Sequence, residues 1–240
     1  MSIHIFKDVD SLVAASADLV VTRAQESIAK HGRFSLVLSG GSSPKRLHEL
    51  LTSDDYRNKI EWSKVFFFFG DERYVPADHP DSNYLMAKQT LFDPLKIPAN
   101  QVFIMDTTLS PEASASAYET AIKEYFGTAP VKFDLIILGL GDDAHTASLF
   151  PGTSVLQEQQ ALVKSLYIEK VKMNRITLTA PLINQAHHIA FLLFGAGKAP
   201  AVEQVLKGAV NITQYPAQLI KPIAGKLEWY MDEPAAKNIQ

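Results

Sequence analysis

The chain has 240 residues, 47% of them hydrophobic and 20% charged, with 23 basic and 26 acidic side chains giving a formal net charge of −3. That composition supports a sizeable core and excludes general disorder, and the small negative charge gives no overall attraction for nucleic acid or an anionic membrane. The absence of cysteine excludes disulfides, thiolate catalysis and cysteine metal sites. No apolar run approaches the roughly 20 residues a bilayer requires, and the start, Met1-Ser2-Ile3-His4-Ile5-Phe6-Lys7-Asp8, lacks the apolar stretch of a secretory signal. A cytoplasmic protein is expected, in which any anionic ligand must be caught locally, its oligomeric state left open between monomer and weak dimer.

In chain order, the pattern predicts a helix over Ser11 to Lys30, a strand over Ser35 to Leu38, a helix over Pro44 to Leu51 and a strand over Val65 to Phe69. An excursion around residues 78–100, with Pro80, Pro94 and Pro98, carries a helix over Ser82 to Leu91. Next come a strand at Val102 to Ile104, a helix over Pro111 to Phe126 and strands over Phe133 to Leu138 and Arg175 to Thr179. A strand over Ile189 to Phe194, a helix over Lys198 to Leu206 and an edge strand over Lys226 to Met231 complete the list. Ser43 before Pro44 and Ser110 before Pro111 read as helix caps followed by proline at the first helical position. Continuous apolar runs are how strands covered on both faces read. Their alternation with helices predicts an α/β fold: one domain over residues 1–240, with a doubly wound, mostly parallel Rossmann-like sheet flanked by helices on both faces.

In such sheets ligands bind where strands end, so the loops leaving the apolar runs carry the chemical information. The first, Ser39-Gly40-Gly41-Ser42-Ser43-Pro44, passes through two glycines into a helix start, whose N–H groups suit phosphate or a developing oxyanion; a tight turn with serine caps is the structural alternative. It lacks the lysine of a P-loop and the third glycine of the dinucleotide motif. In the second, Gly70-Asp71-Glu72-Arg73-Tyr74-Val75-Pro76, three charges follow a buried strand, and Arg73 serves either a surface salt bridge or an anion. In the third, Gly139-Leu140-Gly141-Asp142-Asp143-Ala144-His145, Asp143 is close enough in chain to orient His145 as a general base. The fourth, Phe194-Gly195-Ala196-Gly197-Lys198, sets a lysine at a helix start, where it either helps hold an anion or is simply solvated; Arg175, at a strand start, has the same two readings. The other histidines, His4, His31, His48, His79, His187 and His188, read as structural. No histidine pair has metal-site spacing with a third ligand nearby, so neither a metal nor a cofactor is expected.

Taken in order, these motifs, with Val75-Pro76, Ser82-Asn83 and Arg175-Ile-Thr-Leu-Thr179, resemble the 6-phosphogluconolactonases of the pentose phosphate pathway. They belong to a wider group, sugar-phosphate isomerase-like in fold, with glucosamine-6-phosphate deaminase and ribose-5-phosphate isomerase. The deaminase tends to carry Asp-Glu-Tyr where this chain has Asp71-Glu72-Arg73, and a glutamate where it has Phe150. Both differences favour the lactonase. The resemblance implies hydrolysis of 6-phospho-D-glucono-1,5-lactone by water activated at His145 and oriented through Asp143. It further implies an oxyanion held by Arg73 and the N–H groups near Gly40 and Gly41, and a phosphate held by Arg175, Lys198 and the Ser42-Ser43 turn, with the division of the two duties among the cations left open. A deaminase-like enzyme and a non-catalytic sugar-phosphate sensor are the remaining readings. Lactonases usually place glycine where this chain has Ala144, and we expect a right-handed or extended backbone there, because a Cβ at positive φ is unfavourable by about 1 kcal/mol.

Overall fold

The computed structural model describes residues 1–240. Its elements are β1 (Ser2–Phe6), α1 (Val9–His31), β2 (Phe34–Leu38), α2 (Ser42–Leu51), β3 (Val65–Phe69), β4 (Asp71–Arg73), α3 (Asn83–Ala87), α4 (Asp93–Leu95) and α5 (Pro111–Phe126). The chain continues through β5 (Leu135–Leu138), β6 (Val163–Ile168), β7 (Met173–Leu178), α6 (Ala180–Ile183), β8 (His188–Leu193), α7 (Ala199–Leu206), β9 (Lys226–Asp232) and α8 (Glu233–Ala236).

Six strands form one sheet in the order β1-β9-β8-β5-β2-β3, with every pairing parallel. Flanking helices complete the expected α/β architecture. All residues of β2 and β5 are buried, which is why they read as unbroken apolar runs. After β2 the chain moves outward to β3, whereas after β5 it moves outward the other way, to β8 and β9. The loops leaving β2 and β5 therefore diverge and open a crevice at the carboxyl ends of adjacent strands.

A second sheet, β4-β7-β6, is antiparallel and was not read from the sequence. Gly70 joins the two sheets: its N–H donates to Leu38 C=O and its C=O accepts from Leu178 N–H, both at 2.8 Å. Val163, Ile176 and Leu178 of the second sheet belong to the same buried cluster as Leu36, Phe68 and Leu138 of the first.

The cap expected at Ser110 is present, its hydroxyl accepting from Ala113 N–H at 3.2 Å, whereas the one expected at Ser43 is not. Gly41, at φ 105°, turns the chain into α2 one residue before Ser42, so Pro44 falls third in the helix, where its missing N–H had no intrahelical acceptor to lose. Val102 to Ile104 is not a strand: Val102 makes a single bridge to Phe67, and the chain then leaves the sheet. The helix expected from Ser82 to Leu91 ends as α3 and widens into a π turn over Lys88–Phe92, just ahead of Pro94, which has no N–H to continue the ladder. β9 is an inner strand, because β1 covers it and takes the edge.

Candidate active site

The crevice between the β2 and β5 loops opens into a cavity of about 370 Å³, closed on its far side by the second sheet. Gly40, Gly41, Arg73, His145, Arg175 and Lys198 all line it. Asp143 stands behind His145 rather than in the wall, and Ser42 and Ser43 open α2 outside the lining. Ser42 is exposed. Only the first-turn N–H groups of α2, which have no intrahelical acceptor, remain to carry the anion-binding part expected of that turn.

His145 Nδ1 lies 2.5 Å from Asp143 Oδ1, and the same oxygen accepts from the His145 backbone N–H at 3.2 Å. An ionised carboxylate only accepts, so the neutral imidazole carries its proton on Nδ1 and leaves Nε2 as the basic nitrogen. Burial alone would raise the Asp143 carboxyl, but hydrogen bonds from His145 and from the Lys170 ammonium, 2.5 Å away, hold it well below the usual carboxylate range. Phe150 stacks on the imidazole with centroids 3.9 Å apart and planes 15° apart, which fixes the ring from one face.

The turn that delivers this pair overturns the expectation for Ala144, which is left-handed at φ 60° and buried. Gly141 N–H donates to His145 C=O at 2.8 Å and Ala144 N–H to Gly141 C=O at 3.0 Å. Closing the turn from both ends leaves Ala144 no extended or right-handed alternative. Its C=O accepts from Ala217 N–H at 2.9 Å, and its methyl joins the core, so packing and hydrogen bonds offset the unfavourable φ. Ala147 is left-handed too, at φ 46°. The segment is then fastened to the second sheet, Ser148 Oγ donating to Asp71 at 2.7 Å and Ser148 N–H to Thr177 Oγ1 at 3.1 Å.

Cations surround the other walls. Arg73 and Arg175 are register partners across β4 and β7. Lys198 reaches Asp142 Oδ1 at 2.7 Å. Glu72 points away from this work: it accepts from the N–H groups of Arg73, Asn83 and Tyr84 at 2.7–2.8 Å and from Ser82 Oγ at 3.2 Å. Its burial raises the carboxyl above its ordinary value, and these N–H groups oppose that rise. The close approach of Gly40 to Asn83, where a Cβ would stand 1.9 Å from Asn83 Oδ1, ties the first glycine loop to the segment that Glu72 anchors. No cluster of three or more His, Asp or Glu side chains is arranged to hold a metal ion.

Two participants escaped the sequence reading. Lys170 sits on the turn between β6, whose mixed burial gives no clear periodicity, and the first residues of β7, of which only the part from Arg175 read as a strand; Asp142 has no pattern that sets it apart from Asp143.

A family model described as glucosamine-6-phosphate isomerases/6-phosphogluconolactonase matches residues 7–229. A 6-phosphogluconolactonase from Nostoc is 40% identical over 242 residues, covering 99% of this chain and 98% of that protein. One from Synechocystis is 40% identical, covering 95% and 94%. Among solved structures, the 6-phosphogluconolactonase from Trypanosoma cruzi superposes with a TM-score of 0.89 at 30% identity, covering 100% of this chain and 97% of that one.

Proposed function

The chain belongs to the glucosamine-6-phosphate isomerase/6-phosphogluconolactonase family, and from that premise we propose that it hydrolyses 6-phospho-D-glucono-1,5-lactone to 6-phosphogluconate. The observation that carries the reading is the oriented His145–Asp143 pair in a cavity whose other walls present Arg73, Arg175 and Lys198.

In this mechanism His145 Nε2 removes a proton from water as the water oxygen bonds to the lactone carbonyl carbon. The carbonyl electrons move to oxygen, and Arg73 with the N–H groups near Gly40 and Gly41 stabilises that charge. On collapse the bond to the ring oxygen breaks, the imidazolium returns its proton to that oxygen, and the new carboxyl group ionises in solvent. Asp143 keeps the imidazole in the required tautomer throughout. Arg175, Lys198 and the start of α2 hold the phosphate, fixing the reacting carbon beside His145. The facing arginines thus give one guanidinium to each anionic centre of the transition state. The reading extends to a cytoplasmic enzyme, in keeping with a cysteine-free chain, working as a monomer or weak dimer.

The test is His145→Gln, assayed against a no-enzyme control because the lactone also hydrolyses spontaneously. Loss of the general base lowers kcat by about 100-fold or more. Retention of most activity would remove His145 from the role.

A further inference from the structure

Lys170 holds the outer oxygen of Asp143, while the inner oxygen holds His145. It lies on a one-turn 3₁₀ segment, Glu169–Val171, that leads from β6 to β7, and both Lys170 and Val171 reach the cavity wall. The ammonium has no other hydrogen-bond partner in the protein. With its side chain 63% exposed, such an ion pair contributes little to stability. Its significance is local: it acts on the carboxylate that controls the imidazole.

We infer that Lys170 is a positioning residue for the reaction proposed above. It fixes the Asp143 carboxylate with one oxygen toward His145 and limits how strongly that carboxylate retains a proton on the imidazole. Unpaired, a carboxylate against an imidazole favours the imidazolium, which is the wrong form for a base. An ammonium on the far oxygen offsets part of that charge, which weakens the pull toward the imidazolium while the tautomer is kept. The other charged groups around the cavity are Asp71, Arg73, Arg175 and the Lys198–Asp142 pair, with Glu169 beside Lys170 on its turn. None of these makes a hydrogen bond or ion pair with Asp143.

The inference rests on His145 being the base, and the experiment separates the two claims. The kcat and KM of wild type, Lys170→Met, Lys170→Arg and His145→Gln are measured from pH 5 to 8, with spontaneous hydrolysis subtracted at each pH, alongside melting temperatures. In Lys170→Met the acid limb of the profile moves up by about one pH unit, the size of shift a neighbouring charge produces. Activity on that limb consequently falls about tenfold, while KM and the melting temperature stay close to wild type; Lys170→Arg restores the limb. If the limb does not move and KM rises instead, Lys170 serves the phosphate and the inference is overturned. A fall in melting temperature with an unmoved limb makes the residue merely structural and overturns it equally. In either case, inactivity of His145→Gln leaves His145 as the base of the proposed reaction; an active His145→Gln removes His145 from that role and the inference with it.

Discussion

Arg73 and Arg175 stand directly opposite each other across the antiparallel β4–β7 ladder, an arrangement of like charges that a sheet ordinarily disfavours. Both Nε atoms are buried without a partner, and only the Arg73 guanidinium finds an acceptor, Asp81 C=O at 2.7 Å. Burial pushes the Arg175 guanidinium below its ordinary value; the charge of Asp71 opposes this and Arg73 adds to it. In the proposed reaction each guanidinium meets an anion of its own, Arg73 the oxyanion and Arg175 the phosphate. Arg175→Met should therefore leave the ligand-free protein as stable as wild type or more so by up to about 1 kcal/mol. Inorganic phosphate should raise the melting temperature of wild type and not of the variant. Equal protection by phosphate would show that Arg175 takes no part in anion binding.

Gly141→Ala should inactivate without unfolding. The φ of Gly141 is not left-handed, so its backbone accepts alanine. The added Cβ, however, would stand 2.0 Å from His145 Nδ1 and 2.8 Å from Asp143 Oδ1. The imidazole must swing away and the hydrogen bond to Asp143 must break. A kcat lower by about 100-fold, as for loss of the base itself, should accompany nearly unchanged far-ultraviolet circular dichroism. Near-wild-type kcat would mean that the pair tolerates displacement.

Ala144 invites the opposite test. Replacement by glycine removes about 1–2 kcal/mol of left-handed strain, gives up a buried methyl worth about 0.8 kcal/mol and adds about 0.5–1 kcal/mol of unfolded-state entropy. These nearly cancel, so Ala144→Gly should change stability by less than about 1 kcal/mol and keep its activity. Ala144→Val combines a β-branched residue at positive φ with overpacking and should lose at least about 2 kcal/mol. Urea midpoints of the three proteins decide the matter.

These residues also mark what the sequence could reveal. β2, β3, β5 and β8 were legible because strands buried on both faces leave unbroken apolar runs. β1 was not, since as an edge strand it leaves Ile3 and Ile5 partly exposed, and β4 was not, since Asp71-Glu72-Arg73 reads as a charged loop. His145, Arg73 and Lys198 stood out because they follow strands at the carboxyl edge, where the topology puts ligands. The handedness at Ala144 was hidden because it is set by hydrogen bonds closing the turn from Gly141 and His145, and by Ala217, far along the chain. Lys170 was hidden because its significance depends on a sheet the pattern did not disclose.

His48 should make the protein sensitive to mild acid. It is fully buried, and burial lowers its pKa from 6.5 to about 4. Thr90 Oγ1 donates to Met86 C=O, so His48 Nδ1–H must donate to Thr90 at 3.0 Å, leaving Nε2 buried and unpaired. On acidification the unfolded chain takes up this proton near pH 6.5, whereas the folded protein refuses it until about pH 4. Stability is therefore lost as pH falls across that window, by about 3 kcal/mol in all. Denaturant midpoints at pH 7, 5.5 and 4.5 should fall more steeply for wild type than for His48→Leu; parallel decline would assign the acid sensitivity elsewhere.

Lys198 offers a way to separate substrate holding from chemistry. In the ligand-free protein its ammonium is paired with Asp142 at 2.7 Å, and Asp142 is largely exposed, so little is lost when the lysine turns to another anion. If it holds the phosphate, the contact is made equally in the bound substrate and the transition state, and its removal raises KM while leaving kcat nearly intact. A charge-assisted hydrogen bond of about 2 kcal/mol corresponds to a roughly 30-fold rise in KM for Lys198→Met. The same variant should hydrolyse an unphosphorylated gluconolactone as well as wild type does, because that substrate never used the contact. A fall in kcat on both substrates would instead put Lys198 at the oxyanion and exchange its duty with that of Arg73.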